Sequence, residues 1–229
     1  MKLVRPAVAL ATLACLAGGV HANAATKPKP VCNLVTDAAG DANDPTGFFS
    51  VFPAPNPEPN NAQTDILGGD FAVDSKSVTA VIKLASKPGV DPTSPQGDYY
   101  YFIFQPTGAA NRVYLSARTT AGGATSFTAG SIVNDPTTGD NYTDNATVPV
   151  KGSLVGSTFT ISSKLSDFRT LATIKPNNKV SGLEISSFGV ADVPAPQPVG
   201  DTGLLLGGDT ASAAKSYVAG TPSCVKSLV

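Results

Sequence analysis

The sequence predicts an all-β protein: an antiparallel β-sandwich of jelly-roll type, with about ten short strands and at most one short helix. Three observations carry this. Short apolar runs alternate with polar residues at period two and are broken repeatedly by turn signals. Glycine and proline are abundant, 22 and 19 among 229 residues. Of 17 acidic residues only Glu58 and Glu184 are glutamates; the rest are aspartates, which favour turns and caps where glutamate favours helix.

Residues 1–24 read as a secretory signal peptide. Lys2 and Arg5 precede an apolar run over 7–16, Gly18-Gly19 breaks it, and Ala22-Asn23-Ala24 fits the small-x-small cleavage rule. The run is shorter than the ~20 residues a membrane span needs. Thr12-Leu13-Ala14-Cys15 is a poor lipobox. The expected destination is extracellular, with cleavage after about Ala24 and no transmembrane segment in the mature chain. A Lys/Pro linker at 25–30 then leads into one domain over 31–229.

The first strand is expected over 31–35. A turn-rich stretch follows: Asp37, Gly40, Asp41, Asp44-Pro45 and Gly47, an apolar patch at 48–52, and prolines at 53, 55, 57 and 59. Strands are expected at 66–73 and 78–84, joined by the turn Asp74-Ser75-Lys76. The run 99–105 is the strongest: Tyr100, Phe102 and Phe104 share one face, Tyr99, Tyr101 and Ile103 the other, as a central strand requires. Residues 112–118 alternate as its hairpin partner. Further strands fit 126–133, 147–150, 158–162, 180–190 and 215–219. Residues 134–144 read as a long acidic hairpin loop. Leu165, Phe168 and Leu171, spaced three apart, suggest one helical turn. The prolines between 194 and 200 mark a second loop.

Loss of the leader has chemical consequences. The chain carries a formal charge of −1, which becomes −3 without Lys2 and Arg5, so neither nucleic acid nor an anionic membrane is suggested as a partner. His21 is the only histidine, Met1 the only methionine, and tryptophan is absent. A Ser-His-Asp triad, a Cys-His dyad and any histidine metal site are thereby excluded. Cys32 and Cys224 remain, and in an oxidising compartment two cysteines most simply pair; the alternative is free or intermolecular thiols.

Two stretches resemble a known group. Val35-Thr36-Asp37-Ala38-Ala39-Gly40-Asp41-Ala42 shows an Asp-x-x-Gly-Asp-Ala pattern, and Thr64-Asp65-Ile66-Leu67-Gly68-Gly69-Asp70 opens an apolar strand. Together with the tail over 214–224 they resemble secreted bacterial, actinobacterial-type β-sandwich domains related to DOMON domains and family-nine carbohydrate-binding modules. The resemblance implies a structural calcium near the early acidic segment, and a ligand on a sheet face or end loop. The chain departs from it in lacking tryptophan for sugar stacking and, once mature, the Met and His that would ligate heme; no heme is expected.

The candidate calcium ligands are Asp37, Asp41, Asp44, Asp65 and Asp70. Ca²⁺ takes six to eight oxygens from carboxylates and carbonyls on a sharply turning loop; the competing reading is that these aspartates only form turns. The candidate ligand-binding residues are Tyr99, Tyr101, Arg112 and Tyr114, aromatic faces that stack on a sugar and a guanidinium that hydrogen-bonds it, against plain cross-strand packing. No catalytic residue is assigned, although Glu184 with Asp167 or Asp192 could form a carboxylate pair. The function expected is a secreted non-catalytic binding or accessory module whose ligand is a glycan, a cell-envelope component or a protein. The alternatives are a small hydrolase with paired carboxylates and a structural surface protein.

Overall fold

The computed structural model describes residues 29–42, 60–91, 94, 96–135, 139–191 and 204–229. The expected signal peptide, Asp44, Asp192, the 48–52 patch, the prolines at 53–59 and the 194–200 loop lie outside these residues. The regular structure of the described residues is almost all strand: β1 (Val35–Thr36), β2 (Ile66–Val73), β3 (Ser77–Leu84), β4 (Gly97–Pro106), β5 (Arg112–Thr119), β6 (Thr125–Asp135), β7 (Gly139–Asp144), β8 (Val150–Val155), β9 (Thr158–Lys164), β10 (Lys179–Ala191), β11 (Leu204–Ser212) and β12 (Tyr217–Val218). One short helix, α1 (Leu165–Phe168), follows β9.

Two antiparallel sheets make the sandwich. One has the order β1-β2-β3-β9-β8, the other β11-β10-β4-β5-β6-β7, with β12 also pairing β10. Consecutive strands stay together as hairpins, and the chain passes between sheets at β3–β4, β7–β8 and β9–β10. Alternation decides which side chains face inward. Phe71 of β2 stacks on Phe102 of β4 with ring centroids 5.5 Å apart, and Tyr100 of β4 meets Phe159 of β9 at 4.8 Å. Val78, Ala80, Ile82 and Leu84 of β3 fill the space beside them, all at most 1% exposed. Each such large side chain contributes about 1.5–3 kcal/mol through burial.

The outer face of the larger sheet carries a second apolar cluster. Tyr101, Ile103, Tyr114, Ile132, Phe188 and Val190 pack there, with Tyr99 and Tyr142 against them. The expected two-faced character of the central strand is therefore present in β4.

Four local readings need correction. The first strand is only Val35–Thr36; Val31 instead forms an isolated parallel bridge with Ser223. The 147–150 strand starts at Val150, because Asn145 caps a turn through its side-chain oxygen to Thr147. The acidic loop folds back as β7, an arm of a hairpin with β6. Finally, β11 was not foreseen.

Candidate metal centre

The loop after β1 turns sharply at Gly40, whose φ of 92° suits a residue without Cβ. The turn brings the Gly40 N–H to Asp65 Oδ2 at 2.7 Å, and Asn60 Nδ2 donates to the same oxygen at 3.1 Å. Asp65 is 1% exposed, and its other oxygen, Oδ1, is buried with no hydrogen-bond partner. Asp37 Oδ1 accepts from the Ala38 N–H at 2.9 Å, while Asp37 Oδ2 is likewise buried without a partner.

The third wall comes from the opposite sheet. Asp209 of β11 is 8% exposed and accepts from the Ile66 N–H and the Thr210 N–H, both at 2.7 Å. One carboxylate oxygen each of Asp37, Asp41 and Asp209 lie within 4.8 Å of one another. The two ion pairs among the described residues, Lys83–Asp70 and Arg112–Asp140, lie elsewhere, so no cation of the described residues is paired with the cluster. Burial, and then the charges of Asp37 and Asp41, push Asp209 up to about 7. Burial also raises Asp37, with Asp41 and Asp65 adding to it.

Chemically this is an all-oxygen cluster of acidic side chains. Its donors match a hard divalent ion such as Ca²⁺ or Mg²⁺ and give a thiolate- or imidazole-seeking metal no ligand. Asp37, Asp41 and Asp209 would hold such an ion, with the unpartnered Asp65 Oδ1 in the same acidic nest.

The sequence reading is thus met unevenly. Asp37 and Asp41 come together, and Asp65 braces their loop. Asp70 does not join them: its Oδ1 accepts from the Leu34 N–H and its Oδ2 faces Lys83 Nζ at 3.4 Å. Asp209 was missed, since its only sequence signal is an aspartate after Gly207-Gly208, which reads as a turn.

Of the expected ligand-binding residues, Tyr101 and Tyr114 are 8% and 1% exposed. Tyr114 lies over Gly130 and donates its hydroxyl to Asp144 Oδ1 at 2.7 Å. Tyr99 is half-buried, with the Arg118 guanidinium 4.6 Å from its ring centre. Arg112 is tied to Asp140 in an ion pair. Glu184 lies on the same outer face; burial raises its pKa, Arg112 lowers it and Asp140 raises it. Asp167 is in α1, outside that group of charges.

Another buried acid lies at the start of β4. Asp98 is fully buried, and its Oδ2 faces the Tyr100 hydroxyl at 3.3 Å and Thr119 Oγ1 at 3.4 Å. Burial pushes it up to about 6; Ser94, Tyr100 and Thr119 oppose the shift and the Asp91 charge adds to it.

Cys32 and Cys224 lie at disulfide distance, with Cα atoms 5.3 Å apart across 192 residues of sequence. No helix of the described residues is long and apolar enough to cross a membrane. No protein-family model, no curated protein and no solved structure matches the chain.

Proposed function

We propose that the protein is a secreted, non-catalytic β-sandwich module, steadied by calcium, that binds a glycan, a cell-envelope component or a protein outside the cell. The observation that carries the calcium reading is the convergence of Asp37, Asp41 and Asp209 within 4.8 Å, with no ion pair to them among the described residues. Carboxylates this close repel one another, and either a shared proton or a bound cation relieves that repulsion. The exported, imidazole-free mature chain expected from the sequence supports a binding role over an enzymatic one. The cysteine pair at disulfide distance suits the same compartment.

An ion bound only to the folded state raises the melting temperature by mass action, by about 2.7 kcal/mol of stability at a hundredfold excess over Kd. Thermal melting in CaCl₂ against EGTA is therefore expected to show a higher midpoint with calcium. Asp209→Asn is expected to remove most of that increment and Asp70→Asn to keep it. Equal midpoints with calcium and chelator would mean that the carboxylates share a proton instead.

A further inference from the structure

We propose that the end of the sandwich opposite the metal centre is a docking groove for an acidic, aliphatic peptide segment of a partner protein. The two ends are separated by the length of β2. Asp65 precedes its first residue and Asp74 follows its last, so nine residue steps of strand hold them roughly 30 Å apart. At the far end a groove of about 1050 Å³ opens between the β2–β3 turn, α1 and the loop leading to β10. A second hollow of about 550 Å³, beside the β4–β5 turn, shares Arg169, Thr173 and Lys175 with it and extends it.

Four cations line this end: Lys76, Lys164, Arg169 and Lys175, all exposed. Among the described residues none of them is in an ion pair. The acidic groups of the described residues lining either hollow are Asp74, which accepts from the N–H groups of Lys76 and Ser77, both at 2.7 Å, and the terminal Val229, so the four cations remain in excess. A chain that is acidic overall thus concentrates a quarter of its 16 basic residues at the pole farthest from its buried aspartates. Such a field attracts and orients an anionic partner.

The floor decides between anionic partners. It is aliphatic, made of Val73, Leu165, Ile174 and Pro176, and no aromatic side chain of the described residues lines it. An acidic polysaccharide brings charge and hydroxyls but little apolar surface to cover an aliphatic floor, whereas a peptide alternating carboxylates with Val or Leu buries apolar side chains there and keeps its acids at the rim. The wall is firm, because the Leu165 N–H donates to the Lys76 carbonyl at 2.8 Å.

This inference rests on the proposed binding role but not on calcium, so its test reads a different quantity. The probe is a fluorescein-labelled poly(Glu-Val) peptide, titrated by anisotropy against the native protein, with polygalacturonate as the glycan arm. Saturable binding that weakens as salt rises is expected. The charge-reversed variant K76E/R169E/K175E is expected to lose about tenfold or more in affinity, equivalent to 1.4 kcal/mol. The variant K87E/K151E/K215E, with the same change of charge at exposed positions outside the groove, is expected to bind nearly as well as the native protein. Absence of binding at low salt, equal losses in the two variants, or tighter binding of polygalacturonate would each overturn the proposal.

Discussion

Asp98 works against the fold at neutral pH. Its pKa of about 6 in the folded protein lies above the ~3.9 of an unfolded aspartate, so the folded state holds the proton more tightly. Stability therefore falls as pH rises from about 4 to about 6, and levels off above. Asp98→Asn keeps the shape and removes the charge. It is expected to raise the melting temperature at neutral pH, by at most about 3 kcal/mol of stability, and to lose that advantage by pH 4. Melting curves across this range check it. None of this was legible beforehand: Asp98 stands between Gly97 and Tyr99, where an aspartate reads as a turn former. Only the fold reveals that the strand has already begun and that its side chain, like that of Tyr100 two residues on, faces inward.

At the scale of strands, legibility followed periodicity. β3, β4 and β5 could be read because apolar residues alternate there, and β2 coincides with the apolar run 66–73. β7 could not, because Asp140, Asn141, Thr143 and Asp144 are turn formers by type. They pair as a strand because Arg112 reaches Asp140, Tyr114 reaches Asp144, and Thr128 Oγ1 donates to Asp144 Oδ1 at 2.9 Å. Cross-strand contacts of this kind stabilise by about 0.2–1 kcal/mol each. β11 was invisible because Leu204-Leu205-Leu206 has no alternation and two glycines follow. Since β11 carries Asp209, one of the three carboxylates of the candidate metal centre was hidden with it. Gly130 lets Tyr114 lie flat on β6, and a Cβ there would run into the Tyr114 ring and the Thr143 carbonyl. Gly130→Ala is expected to cost about 1–3 kcal/mol in chemical denaturation, more than Tyr114→Phe, which gives up only the hydroxyl bond.

For the molecule as a whole, the fold class and the cysteine pairing were readable, because both follow from composition and counting. The charge polarity was not: Lys76 and Lys175 are 99 residues apart in sequence, and only the packing of α1 against the β2–β3 turn makes them neighbours. Removing the Cys32–Cys224 link frees nearly the entire chain in the unfolded state. Cys32→Ser with Cys224→Ser is expected to lower stability by up to about 5 kcal/mol, the chain-entropy value for so long a loop; urea denaturation measures it. Beside that link the Val31 N–H donates to the Pro222 carbonyl at 2.8 Å, and the two segments run parallel. The polypeptide therefore enters and leaves at one corner, heading the same way. A tug on both tails would be borne by sulfur, and the strands between would feel none of the tension.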